Sequence, residues 1–159
     1  MCGLPGSGKT TLSRKLAAEI PAIRLCTDDW QTALGVAHNN EKFHDLLEDQ
    51  LWVFAQELIC LGQTVIFEKG LWRRSERDEK RRQAKRLGVD IELHYFDIPV
   101  SELERRLELR NNAGNANAYH VSKKQIQEYA AKFFQPPDKA ELALFAKSVV
   151  HKLGDDQKV

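Results

Sequence analysis

Along the chain, segments with an apolar residue every third or fourth position alternate with short continuous apolar runs. Residues 10–20, "TTLSRKLAAEI", set Leu12, Leu16 and Ile20 four apart, which predicts a helix that Pro21 ends. "AIRLC" (22–26) follows as a short β-type run. Residues 40–62 predict a long helix with Phe43, Leu47, Leu51, Phe54 and Leu58 on its apolar face and Gly62 as its stop. "TVIF" (64–67) reads as a buried strand, 73–87 as a very charged helix closed by Gly88, "IELHYF" (91–96) as a strand and 101–112 as a helix. The polar "NNAGNANAYH" (111–120) predicts a loop. Ser122 and Gln125 make a capping box for a helix through Phe134, "QPPD" breaks it, and "AKSVVHK" (146–152) is the last strand. Strands alternating with helices predict an α/β fold with a parallel sheet covered on both faces. With no internal repeat or linker, a single domain over 1–159 is expected.

Ahead of the first helix stands Gly3-Leu4-Pro5-Gly6-Ser7-Gly8-Lys9-Thr10, which fits G-x-x-x-x-G-K-[ST]. Glycines let the backbone turn tightly, so that successive N–H groups face phosphate oxygens at the positive end of a helix. The lysine reaches the β and γ phosphates and the threonine hydroxyl faces Mg²⁺. Gly3, Leu4, Pro5, Gly6, Ser7, Gly8, Lys9, Thr10 and Thr11 are therefore the expected ATP-binding set, with Thr10 toward the metal. Such a loop normally follows a buried strand, yet only Met1 and Cys2 precede it. The expectation is that the first strand is largely absent from this sequence: the natural chain starts upstream with an apolar run, or another segment or chain fills the gap.

Composition narrows the picture without naming a reaction. Hydrophobic residues make up 42%, ordinary for a globular fold. A formal net charge of +1 favours neither nucleic acid nor acidic membranes, and no apolar run approaches the ~20 residues of a membrane span. Cys2, Cys26 and Cys60 lack metal-ligand spacing and are expected to be reduced and mostly buried, as in a cytoplasmic protein. The guanine-reading tetrapeptide N-K-x-D is absent from the sequence. Ligands of open parallel sheets bind at the carboxyl ends of strands, which draws attention to Asp28-Asp29, Glu68 and Asp97.

"CGLPGSGKTTLSRKLAAEIPAIRLCTDDW", "TVIFEKGLWRRSERD", "VDIELHYFDIPVSELERRLELRN" and "FFQPPDKAELALF" together resemble the small bacterial P-loop kinases described as AAA-family ATP-binding proteins or predicted kinases, related to polynucleotide 5′-kinase, zeta toxin and chloramphenicol phosphotransferase. The blocks cover nearly the whole chain. The resemblance implies a P-loop three-layer fold, with sheet order 2-3-1-4-5 when the strand before the loop is counted first, and a helical lid near 106–125. It also implies ATP and Mg²⁺ as cofactors and a small-molecule hydroxyl as acceptor of the γ-phosphate. A nucleic-acid partner and a membrane are not expected, and the assembly is a monomer or weak homodimer.

Residue by residue, the resemblance makes Asp28 the general base and Lys9 a catalytic cation. Asp28 or Asp29 could instead cap the helix that "TDDWQTAL" begins. Relatives carry an arginine at the position of Gln31, where it meets an acceptor phosphate, so its replacement argues against a phosphate-bearing acceptor. Glu68 stands where the family usually has aspartate. It is either a ligand on the metal side or a surface residue paired with Lys69. Arg106 and Arg110, four apart on one helix face, are the expected catalytic lid cations; a Glu102–Arg106 ladder with a solvated Arg110 is the other reading, and Arg105 points off that face. The charged 73–86 segment reads as a solvated face. Trp72 lines the acceptor pocket or packs, and His44 and His120 are further acceptor-side candidates. Two other functions stay open: a nucleotide-binding regulatory module with little turnover, and a toxin-like kinase of nucleotide sugars.

Overall fold

A computed structural model describes residues 1–113 and 120–154. In chain order the elements are α1 (Lys9–Glu19), β1 (Ala22–Cys26), α2 (Thr27–Ala33), α3 (Glu41–Cys60), β2 (Thr64–Glu68), α4 (Arg74–Arg86), β3 (Glu92–Asp97), α5 (Val100–Asn112), α6 (Lys123–Glu128), a π-helical turn (Tyr129–Phe133), α7 (Lys139–Leu142) and β4 (Lys147–Lys152). The chain divides into two compact units, Thr10–Lys69 and Met1–Lys9 with Gly70–Val159.

In the Thr10–Lys69 unit, β1 and β2 pair in parallel, from Ala22 opposite Thr64 to Cys26 opposite Glu68. Leu25, Trp52 and Ala55 form its core with Leu58, Val65 and Phe67 around them, and Trp52 meets Phe67 edge-on at 5.1 Å between ring centroids. On α3 the expected face holds at Leu51, which is buried, at Leu58, which packs on this core, and at half-buried Phe43 and Leu47, but Phe54 is exposed, and Glu48, Trp52 and Ala55 are buried beside Leu51. The indole of Trp52 fills the space against the strands. Lys69 donates to Glu48, which lets that carboxylate sit on the buried side. Asp28 and Asp29 lie in the first turn of α2, whose N-cap is Cys26, so neither aspartate is the cap. Negative charge there still favours the helix's positive end.

In the other unit β3 and β4 pair in parallel, from Glu92 opposite Lys147 to Asp97 opposite Lys152. Cys2 joins β3 as a single parallel bridge to Tyr95. Its N–H donates to the His94 carbonyl at 2.8 Å, and its carbonyl accepts from the Phe96 N–H at 2.9 Å. The pairings within each unit are among those the expected sheet order contains. Cys2, Leu71, Leu93, Tyr95 and Phe145 form the core, with Ile91, Phe134, Leu142 and Val150 packed on it. Each large apolar side chain buried there contributes about 1.5–3 kcal/mol.

Helix α4 is not the fully solvated face its charges suggest: Arg77 is 0% exposed and Lys80 is buried too. The Arg77 guanidinium is bonded to Glu141 at 2.6 Å. The Ser122–Gln125 capping box forms as expected, but the helix it starts ends as a π turn. Cys2 and Cys26 are buried, whereas Cys60, expected among the buried thiols, is exposed at the last turn of α3. Among the described residues, no helix is long and apolar enough to cross a membrane.

Candidate phosphate-binding site

The loop turns where its glycines permit. Gly6 and Gly8 have φ of 81° and 102°, a region L side chains rarely adopt. A Cβ on Gly6 would also stand 3.1 Å from Leu107 Cγ. Lys9 opens α1, and its Nζ donates back to the Leu4 carbonyl at 2.8 Å, which arches the side chain over the loop. The first N–H groups of α1 have no intrahelical acceptor, as at any helix start. Ser7 is buried, and its Oγ lacks a hydrogen-bond partner among the described residues. A backbone nest, an arched lysine and an orphaned hydroxyl are the donor set that an anionic phosphate chain fits.

Within the Thr10–Lys69 unit a buried carboxylate organises a cluster of polar groups. Glu68, 8% exposed, accepts from the Thr10 hydroxyl on one oxygen and from Ser13 Oγ at 2.5 Å on the other. Arg24 adds Nε at 2.7 Å to that second oxygen and reaches Asp29 through Nη1 at 2.6 Å. Burial works against the Arg24 charge, but the hydrogen bond to Asp29 and the nearby Glu68 carboxylate outweigh it and hold the guanidinium more firmly protonated than usual. Glu68 is thus not a surface partner of Lys69. The threonine O–H donates its hydrogen bond to Glu68, which leaves the oxygen's lone pairs for a cation such as Mg²⁺. Neighbouring Cys26 is pushed up to about 12, first by burial and then by the Glu68 charge, so it is a packed thiol and no nucleophile.

Asp28 is exposed, with one oxygen 4.0 Å from His44 Nδ1. The same His44 nitrogen lies 2.9 Å from Gln31 Oε1, and the Gln31 amide donates to the Ala37 carbonyl at 2.8 Å. Gln31 is 0% exposed, so its side chain is consumed in holding the loop after α2. On α5, Glu102 accepts from Arg106 at 2.7 Å and from both ends of Arg105. Those guanidinium hydrogen bonds, Arg105 first, hold the Glu102 carboxyl down to about 2. Arg110 is half-buried and His120 exposed. Residues 114–119 of the expected lid lie outside the described residues. Trp72 packs on Tyr129 at 5.0 Å and donates from Nε1 to the Gly3 carbonyl at 3.1 Å. Ser13 and Arg24 escape a sequence reading because neither belongs to a motif; only the fold brings them to Glu68.

A parallel α/β frame with this loop defines the class of P-loop nucleotide-binding folds. Residues 1–137 match the family model described as AAA domain, and the chain belongs to that family. Among solved structures, it is similar to a candidate kinase from Chloroflexus aurantiacus J-10-fl, with 17% identity and a TM-score of 0.76, covering 99% of this chain and 85% of that one. It is also similar to a gluconokinase from Sinorhizobium meliloti 1021, with 15% identity, a TM-score of 0.60, and coverage of 97% and 81%. The Mycobacterium tuberculosis APS kinase CysC, solved in complex with AMPPNP and APS, gives 20% identity, a TM-score of 0.56, and coverage of 94% and 84%. At these identities the likeness is one of fold. No curated protein matches the chain.

Proposed function

We propose that this protein is an ATP- and Mg²⁺-dependent phosphotransferase acting on a hydroxyl of a small molecule. The observation that carries the reading is the glycine loop ending in Lys9 and Thr10, together with the Glu68 carboxylate that orients the Thr10 hydroxyl. Two of the fold neighbours carry the names of small-molecule kinases. When bound, the nucleotide supplies the phosphoryl group and the metal neutralises its charge. The loop N–H groups and Lys9 hold phosphate oxygens, and Thr10 contributes a metal ligand with Glu68 fixing its rotamer. Asp28, solvent-accessible and next to His44, takes the acceptor's proton. Arg106, when released from Glu102, and Arg110 approach the transferring group.

The test is a screen of hydroxylated metabolites for ATP-dependent phosphate incorporation, followed by Asp28→Asn on the acceptor found. The substitution is expected to leave ATP affinity intact and to slow transfer about 10²–10⁴-fold. Equal rates would remove Asp28 from the mechanism. One observation favours a second reading, a nucleotide-binding regulatory module: both Glu68 oxygens already accept protein donors, and Gln31 is spent on its own loop. Tight ATP binding with no acceptor in the screen would support it.

A further inference from the structure

The bonds around Gly3 come from a segment far along the chain. Its N–H donates to the Gly70 carbonyl at 2.8 Å, and its carbonyl accepts from Trp72 Nε1 at 3.1 Å. Both polar groups of the loop's first glycine are thus fixed by one short turn. The turn is shaped for this contact. A Cβ on Gly70 would fall 2.4 Å from Trp72 Nε1, so only glycine lets the indole lie where it does. Leu71, between them, is buried with φ of 42°, a conformation unfavourable for a branched side chain.

Something has to hold that turn against its own preference. Arg77 does so from below, through Nη1 at 2.9 Å to the Leu71 carbonyl and 3.1 Å to the Trp72 carbonyl. Its other N–H groups go to Glu141 at 2.6 and 3.1 Å and to the Gln135 carbonyl at 2.8 Å. The planar fork of an arginine can bridge three carbonyls and a carboxylate at once; a lysine cannot. A buried ion pair adds little net stability over apolar packing, so its value here is geometric.

Resting on the phosphate-loop reading above, we propose that Trp72 is a positioning residue for the nucleotide's phosphates and that Arg77 is the clamp that keeps it in place. Trp72 sets the Gly3 peptide and so the direction of the loop N–H groups that follow. Because it acts on the loop, its effect falls on the phosphate chain and not on the base.

The experiment measures Mg²⁺-dependent binding of ATP and of inorganic tripolyphosphate by calorimetry, with melting temperature as the control. Trp72→Phe retains a ring against Tyr129 and loses the N–H together with the smaller of the two indole rings. It is expected to weaken both ligands equally, about five- to tenfold, the equivalent of one ordinary hydrogen bond, with the protein still folded and melting cooperatively. Arg77→Lys keeps the charge opposite Glu141 and loses the fork, and should weaken both ligands at least as much. If Arg77→Lys does not fold, Trp72→Phe decides alone. Wild-type affinity for both ligands in Trp72→Phe, or a loss confined to ATP, overturns the positioning role. A wild type that binds neither ligand overturns the phosphate-loop reading itself, and the positioning role with it.

Discussion

Replacing Glu68 by alanine tests the reading of the Thr10–Lys69 unit most directly. The carboxylate accepts from Thr10, Ser13 and Arg24. Two of these losses are small. Thr10 is exposed and finds water, and Ser13 Oγ keeps a bond to the Thr10 carbonyl at 3.0 Å. The third is large, because the Arg24 and Glu68 side chains are only 15% and 5% exposed and the guanidinium would lose one of its two carboxylates. Breaking a buried pair costs about 3–5 kcal/mol; with Asp29 retained, the low end, about 3 kcal/mol, is expected. Glu68→Gln keeps the shape and should lose about 1–2 kcal/mol. Arg24→Met combined with Glu68→Met should recover most of the alanine loss, since no charge is left unpaired. Urea unfolding followed by circular dichroism and tryptophan fluorescence gives the differences from the midpoint and slope. A loss below about 1 kcal/mol in Glu68→Ala, or a double variant no better than the single, would refute the claim that Glu68 anchors this cluster.

Three further outcomes follow from the geometry. His94, stacked on His151, is held down to about 4 by burial first and the His151 charge second. An unfolded histidine titrates near 6.5, so the unfolded chain binds the extra proton first. Stability is then full above that pH and falls toward pH 4 at up to about 1.4 kcal/mol per unit; His94→Gln should flatten that slope in unfolding curves. Of the three thiols, Cys60 is exposed while burial pushes Cys2 up to about 11 and Cys26 up to about 12, so a disulfide reagent should modify one thiol in the native protein, and Cys60→Ser should abolish that fast phase. Saturating ATP with Mg²⁺ at 100 times its Kd should add about 2.7 kcal/mol of stability, and Lys9→Ala should remove most of the melting shift; no shift in a folded wild type would end the phosphate-loop reading.

The strands were legible because each is a short apolar run bounded by proline, glycine or acidic residues, and all four lie within a residue of their expected bounds. The loop was legible because its glycines carry a backbone requirement that no other residue meets. What was not legible depends on partners distant in sequence. Arg77 sits among nine other charges in α4 and looks like any of them until Glu141, 64 positions on, closes over it. The apolar repeat of α3 holds at Leu51 and Leu58 but fails at Phe54, which is exposed, while Trp52, outside the repeat, is buried edge-on against Phe67 of β2. Glu68 was read as either a metal-side ligand or a surface group. Its burial beneath Thr10, Ser13 and Arg24 comes from the pairing of β1 with β2.

The two bonds to Gly3 have a consequence for how the protein is made. Trp72 lies 69 positions after Gly3, and β3, which receives Cys2, lies later still. A ribosome adding about 5–20 residues per second exposes the glycine loop several seconds before any of these anchors has been synthesised. In that interval the loop is an unconstrained, flexible segment with nothing to shape it. The phosphate cradle is therefore translated early and matured late, so nucleotide cannot serve as a template for folding until the chain has been synthesised through β3.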